Sequence, residues 1–325
     1  MAVLVTGAAG FLGARLVRAL LASRTERETI IAADLTACPV ADPRVDVRVG
    51  SIADPSFVAS VVGDRIDGVF HLAAVLSGQS EAEFDAGMRI NFDATRGLLD
   101  ACRALGTRPR FVFTSSIAVF GGPLPEIVPE DMALRPQSSY GAEKAMAELL
   151  VSDYSRRGFV DGVACRLPTI AVRPGAPNSA LSSFVSGIIR EPVAGIEAIC
   201  PVPLDTRIWI SSPEVVTKNL LHAGSMATTA LDVRRAINLP GLSVTPAEML
   251  ASLERIAGAA ARARVRAEPD HRLMRVVCTW PAAFDVSRAR QLGFSQDTDV
   301  DAIVRQFVSD ASRGAVGGGA SGKVS

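Results

Sequence analysis

This chain is short of the residue types that build several kinds of site. It holds only three histidines, His71, His222 and His271, too far apart for metal-ligand spacing, so no metal is expected. Its cysteines, Cys38, Cys102, Cys165, Cys200 and Cys278, are odd in number and scattered, which argues against a disulfide framework. They fit reduced thiols in a cytoplasmic protein. Neither sign of charge is in excess, with Lys plus Arg and Asp plus Glu at 34 each. No basic stripe interleaved with aromatics occurs either, so neither nucleic acid nor a membrane surface is expected as a partner. No apolar run approaches the roughly 20 residues of a membrane span. The opening residues Met1 to Thr6 lack the basic segment of a signal peptide, and their apolar run breaks at Gly7. No internal repeat is evident.

What is present begins in those same residues. Hydrophobic residues make up 48% of the 325, enough for one large α/β domain or two modest ones. The apolar run Val3 to Thr6 leads into Gly7-Ala8-Ala9-Gly10-Phe11-Leu12-Gly13, then a helical pattern, then a second apolar run, Thr29 to Ala33, ending on Asp34. Strand, glycine turn, helix, strand and acid is the layout of a dinucleotide-binding βαβ unit. Gly7 permits the tight turn, Gly10 lets the backbone approach a pyrophosphate, and Gly13 lets the helix pack on the sheet. The helix start at Phe11 and Leu12 offers free amides and a positive dipole end to the phosphates. Asp34 stands where a carboxylate accepts from both ribose hydroxyls and repels a 2′-phosphate. Leu35 and Thr36 supply no arginine to receive one, which favours NAD over NADP.

Further strands are expected at Val45 to Val49, Gly68 to Ala74, Arg110 to Ser115 and Gly162 to Leu167. Helices are expected at Pro55 to Val62, Glu81 to Leu105 and Tyr140 to Arg157. This alternation predicts a Rossmann-type doubly wound parallel sheet with its ligand beyond the carboxyl ends of the strands. Residues 1–168 form the NAD-binding domain in this reading, with 213–239 returning to it through a helix from Pro213 to His222 and a strand from Arg235 to Leu239. Residues 169–212 and 240–313 make a smaller substrate lobe. It contains a short helix from Ser182 to Ile189 and another from Pro246 to Ala257 capped by Thr245. Residues 314–325, with their glycine run, read as a flexible tail.

Tyr140 and Lys144 are spaced i, i+4, so a helix puts them on one face. Ser116 lies just past the fifth strand, at the edge where the cofactor is expected. A tyrosine acts as a base near neutral pH only if its pKa falls from about 10. Lowering it by about three pH units costs about 4 kcal/mol, which must come from nearby positive charge. Lys144 and the nicotinium ring of an oxidised cofactor are the candidate sources. The Ser116 hydroxyl can then hold a substrate oxygen in line with the phenolate.

At these residues the chain resembles the extended short-chain dehydrogenase/reductase family, also described as NAD-dependent epimerases and dehydratases. The matching pieces are Thr6 to Gly13, Asp34, His71-Leu72-Ala73-Ala74, Asn91, Thr114-Ser115-Ser116, Tyr140-Gly141-Ala142-Glu143-Lys144 and Arg166-Leu167-Pro168. The resemblance implies a catalytic triad of Ser116, Tyr140 and Lys144, with Asn91 on the helix behind it and Ala73 lining the nicotinamide ribose. Ser51 and Ile52 fall at the adenine edge, where many members carry aspartate then isoleucine. Members often dimerise through the helices that carry Asn91 and Tyr140, so the resemblance allows a homodimer.

Most such relatives act on nucleotide-linked sugars and usually place an asparagine three residues after the arginine matching Arg166. Here that position is Thr169, followed by Arg173-Pro174-Gly175, and tyrosine occurs only at Tyr140 and Tyr154. Longer runs instead resemble the D-erythronate dehydrogenases within the family: Phe70 to Gln79, Val119 to Pro125, Ser155 to Gly162, Ile188 to Pro192 and Asp205-Thr206-Arg207. That likeness implies NAD-dependent oxidation of a four-carbon sugar acid at C2, giving 2-dehydro-D-erythronate. A sugar acid needs a carboxylate clamp, for which arginine is suited. Arg173 and Arg207 are the candidates, each weighed against a plain ion pair. Ser77 and Gln79 are candidates for the substrate hydroxyls, weighed against loop solvation. Two other readings stay open: a nucleotide-sugar 4-epimerase, and a non-catalytic dinucleotide sensor.

Overall fold

The computed structural model describes residues 2–23, 28–63, 66–176, 180–231 and 233–317. Strand β1 (Ala2–Thr6) is buried at all five positions. It lies parallel between β2 (Thr29–Asp34) and β4 (Ile66–His71). Strands β5 (Arg110–Ser116) and β6 (Asp161–Leu167) are likewise buried at their five middle positions, mostly by apolar residues, with Thr114, Ser115 and Arg166 as buried polar exceptions towards their carboxyl ends. Strand β3 (Val45–Val49) closes the sheet at one edge, where its alternating Val-Asp-Val-Arg-Val stays largely in contact with solvent. The order across this seven-stranded sheet is Ala236–Asn238, β6, β5, β4, β1, β2, β3, all parallel. Because β1 neighbours both β2 and β4, the connections diverge there and leave a crevice at the carboxyl ends of β1 and β4.

Helix α1 (Phe11–Ser23) returns from β1 to β2 and buries Gly13, Ala14, Leu16, Val17 and Leu20. Helix α2 (Pro55–Val61) starts on an Asp54 cap with proline in its first turn. The expected helix over 81–105 is instead a series of pieces. These are α3 (Ser77–Ala82), α4 (Phe84–Gly87), a π-helical turn (Met88–Asp93) and α5 (Ala94–Leu105). Glu83, at φ −130° and ψ 72°, breaks the run, and the wider π turn rotates Asn91 into the interior. A search for a 3.6-residue period cannot register such a turn. Helix α6 (Ser139–Arg156) starts on Ser138, whose hydroxyl accepts from Gly141 N at 3.1 Å. Leu98, Leu99, Phe111, Phe113, Ala147 and Val151 bring α5, β5 and α6 into one core.

The chain divides into two compact units. The first comprises residues 1–168, 214–240 and 284–295; the second comprises 169–213, 241–283 and 296 onward. Residues 284–295, expected in the substrate lobe, therefore belong to the first unit. Arg288 there donates to Glu130 and to the Leu231 and Arg234 carbonyls, while Phe284 packs on Phe120 with ring centroids 5.6 Å apart. These partners are remote in sequence, so no local pattern announces them.

The second unit has its own core, including Val185, Ile188, Ile210, Leu250, Leu253 and Val304. Its strands are short: Thr169–Ile170, Ile208–Ser211 and Leu242–Val244 form one sheet, and Ala198–Cys200 pairs with Val265–Ala267. The Pro246–Ala257 helix carries a full capping box. Thr245 Oγ1 accepts from Glu248 N at 3.1 Å, and Glu248 Oε2 accepts from Thr245 N at 2.7 Å. A last helix runs from Val300 to Gly317, through the first residues of the expected tail; residues 318–325 lie outside the described residues.

Candidate functional site

The glycine turn is shaped by close approach. Gly7 has φ +71°, and a Cβ on it would lie 2.7 Å from Ala73 N. A Cβ on Gly13 would lie 2.0 Å from Gly7 O, closer than any side chain can sit. Gly10 is tight in the same direction, with 3.2 Å to Gly7 O. The first turn of α1, at Phe11, Leu12 and Gly13, therefore sits hard against the end of β1 and leaves its leading amides for an anion. Ala73, just past β4, donates its N–H to Thr6 Oγ1 at 3.3 Å.

Asp34 closes β2. Its Oδ2 accepts from Ala9 N at 2.9 Å and its Oδ1 from Leu35 N at 2.6 Å, so the carboxylate is pinned beside the glycine turn. Leu35 beside it is 70% exposed. Ser51 accepts from Ala53 N at 3.2 Å, holding the loop after β3, and Ile52 is buried. This cradle of bare backbone, helix start and fixed acid fits a nicotinamide dinucleotide. Under the NAD reading, Asp34→Ala with Leu35→Arg removes the charge that repels a 2′-phosphate and adds a partner for it. Both cofactors should lose affinity, because the Asp34–Ala9 tie goes too. The ratio of kcat/KM for NADP over NAD is nonetheless expected to rise at least about tenfold, which corresponds to about 1.4 kcal/mol. Steady-state kinetics with both cofactors measures it, and an unchanged ratio assigns cofactor choice elsewhere.

At the end of β5, Ser116 Oγ accepts from Ala118 N at 3.1 Å and caps a turn over Ile117–Val119. Tyr140 lies in the first turn of α6 and Lys144 one turn later. Lys144 Nζ donates to Thr114 O at 2.9 Å, two residues before Ser116, and lies 5.7 Å from the Tyr140 ring centre and 4.7 Å from that of Phe113. The first unit thus places Ser116, Tyr140 and Lys144 around one strand end. Burial pulls the Lys144 ammonium down to about 8, with the neighbouring Glu143 and Glu148 carboxylates acting in the opposite sense. His71, bonded to Thr6 and Thr95, is kept neutral by burial, aided by the Lys144 charge, with its pKa lowered to about 3.

Asn91 lies inside, accepting from Val75 N at 2.8 Å and donating to Val75 O at 3.1 Å and to Glu143 Oε2 at 2.6 Å. Ser77 and Gln79 stand on α3, not in a loop, and Gln79 Nε2 reaches Glu83 Oε2 at 3.4 Å. Arg173 and Arg207 belong to the second unit. The Arg173 main chain is fixed by Ser186 and Arg190, and Arg207 is exposed just before the Ile208–Ser211 strand.

The structure adds two buried acids to the expected site residues, Glu143 and Glu148. A signal for both exists: residues 140, 143, 144, 147, 148 and 151 share the helical spacing of a buried face, and four of them are polar. Glu148 pairs with Arg166 at 2.9 Å and accepts from Ser115 Oγ at 2.5 Å. Among the described residues, no cluster of His, Cys, Asp and Glu is gathered for a metal, and no helix is long and apolar enough to cross a membrane.

Residues 3–209 match the NAD dependent epimerase/dehydratase family, and the chain belongs to it. Within it, the chain is 50% identical to the D-erythronate dehydrogenase of Cupriavidus necator, over 96% of this chain and 99% of that one. It is 43% identical to the D-erythronate dehydrogenase of Haemophilus influenzae, over 95% and 99%. Among solved structures it resembles the nucleoside-diphosphate-sugar epimerase from Agrobacterium tumefaciens, with a TM-score of 0.90, 42% identity, and coverage of 97% and 95%.

Proposed function

We propose that this protein is an NAD-dependent dehydrogenase that oxidises the C2 hydroxyl of D-erythronate to 2-dehydro-D-erythronate. The observation that carries the reading is 50% identity, across nearly the full length of both chains, to a relative named D-erythronate dehydrogenase. The arrangement at the end of β5 supports the chemistry. Ser116 holds the substrate oxygen, and the Tyr140 phenolate takes the hydroxyl proton. Lys144, whose Nζ lies 5.7 Å from the Tyr140 ring centre, supplies the positive charge that favours the phenolate. NAD, when bound, supplies the acceptor for the C2 hydride. Asp34 and the Gly7 to Gly13 turn hold its ribose and phosphates, with Ser51, Ile52, Ala73 and Asn91 around it.

A second reading, nucleotide-sugar 4-epimerase, is favoured by the name of the Agrobacterium tumefaciens structure. One assay separates the two. Purified protein mixed with NAD and D-erythronate is expected to form NADH in step with substrate consumed. With UDP-sugars it is expected to form none and to interconvert none. Interconversion of UDP-sugars without net NADH establishes the epimerase, and NAD binding without any turnover establishes a sensor.

Arg173 or Arg207 is the candidate partner for the substrate carboxylate. Losing a charge-assisted hydrogen bond costs roughly 1.5–3 kcal/mol. Substitution of either arginine by Met should therefore lower kcat/KM for erythronate by about ten- to a hundredfold, with NAD affinity little changed. Turnover of the uncharged tetritol erythritol should be indifferent to the same change. Equal losses on both substrates indicate simple destabilisation, and no loss on erythronate places the clamp elsewhere.

A further inference from the structure

The helix that carries Tyr140 and Lys144 also buries an acid that this chemistry leaves unused. Glu143 is shielded completely from solvent. Its two oxygens accept from Ser80 Oγ at 2.7 and 2.6 Å, and one of them also accepts from Asn91 Nδ2 at 2.6 Å. Ser80 lies in α3 and Asn91 in the π turn, so one carboxyl group ties three pieces of chain together. Both donors are neutral. Glu148 on the same helix is bonded to an arginine, whereas the hydrogen bonds to Glu143 come from a hydroxyl and an amide, with the Lys144 charge beside it in the chain, so its burial depends on those two ties being kept. Gly87 in α4 makes room for it, since a Cβ there would lie 2.3 Å from both Glu143 Oε1 and Ser80 Oγ. Asn91 extends the tie, because its amide also fixes the Val75 main chain just ahead of α3.

We infer that Glu143 is a positioning residue that clamps α3, and with it Ser77 and Gln79, onto the catalytic helix, thereby setting the KM for substrate while taking no part in the proton transfer. The inference rests on the proposed function for what Ser77 and Gln79 contact.

The clamp has an electrostatic side. Lys144 follows Glu143 in the chain, and Glu143 is foremost among the groups that oppose the downward pull of burial on it. Glu148, from the same helix, acts in the same sense and is itself paired with Arg166 of β6. His71 of β4 is neutral, and the Tyr140 ring centre lies 5.7 Å from the ammonium. Arg96, Asp100 and Arg103 of α5 act on Tyr154, further along the helix. Glu81, Glu83, Asp85, Arg89 and Asp93, on α3, α4 and the π turn, are exposed. Removing the Glu143 charge therefore lets Lys144 lose its proton at lower pH.

Two variants of the full chain test this. Ser80→Ala keeps the carboxyl and removes one tie. It is expected to raise the erythronate KM about tenfold, the size of one lost hydrogen bond to a carboxylate, with kcat and the NAD KM held within about twofold. The high-pH limb of its kcat/KM profile should not move. Glu143→Gln should raise the KM at least as far and also shift that limb to lower pH. The double variant should match Glu143→Gln alone. Hydrogen exchange over residues 77–91, measured without substrate, should quicken in both single variants. Unchanged exchange there, or an erythronate KM within about twofold of wild type in both, overturns the clamp. A wild type that ignores erythronate overturns the proposed function instead and leaves the exchange result to decide the clamp. Should Glu143→Gln fail to fold, Ser80→Ala still decides it.

Discussion

Tyr140→Phe is expected to bind NAD as the wild type does and to turn over erythronate about a hundred- to ten-thousandfold more slowly, the usual worth of a positioned base. The substitution is selective. Phenylalanine keeps the ring that lies 5.7 Å from Lys144 Nζ and keeps the first turn of α6, so only the phenolic oxygen goes. Lys144 remains on Thr114 O, and Ser116 remains on its turn, since neither hydrogen bond involves Tyr140. Stopped-flow or steady-state NADH formation at saturating substrate reads kcat, and fluorescence titration reads NAD binding. A variant that keeps more than about a tenth of wild-type kcat removes Tyr140 from the role of base. A variant that loses NAD binding in parallel shows instead that the ring was holding the cofactor site.

The half of the molecule legible beforehand is the half built on local rules. Strand β3 occupies the residues that its alternation marks out, and the Pro246–Ala257 helix begins at the Thr245 cap that the sequence displays. The glycine turn was readable because a missing Cβ leaves a mark in the sequence. The unread parts depend on partners far along the chain. Asn91 enters the core only because a π turn re-phases the helix, and that turn is held by Glu143 and by the Val75 main chain. Residues 284–295 join the first unit through Arg288 and Phe284, whose partners lie more than a hundred residues upstream at Glu130 and Phe120. Strands of two or three residues, such as Thr169–Ile170 and Ala198–Cys200, are too short to show any period.

The largest loss of stability is expected at Glu148. This acid is buried on α6, and it receives Arg166 Nε at 3.0 and 3.1 Å, Arg166 Nη2 at 2.9 Å and Ser115 Oγ at 2.5 Å. Arg166 Nη1 goes on to the Glu130 carbonyl and Asn238 Oδ1, so the pair joins α6 to β5, β6 and the last strand of the sheet. Glu148→Ala would leave a guanidinium of 7% side-chain exposure without its counter-charge, and the Ser115 hydroxyl without its acceptor. Breaking a buried pair from one side costs roughly 3–5 kcal/mol, a large fraction of the total stability of an ordinary domain. Urea unfolding should show that loss as a lower midpoint at unchanged slope. The double variant Glu148→Ala with Arg166→Met removes both charges, and it should recover part of the loss, since buried pairs exchanged for apolar groups often cost little. If the single variant unfolds within about 1 kcal/mol of wild type, the pair is solvated in solution. If the double is as unstable as the single, the loss comes from the cavity and the Ser115 hydroxyl, not from the stranded charge. Ser115 stands between Thr114, which anchors Lys144, and Ser116, so turnover should fall together with stability in the single variant and recover with it in the double.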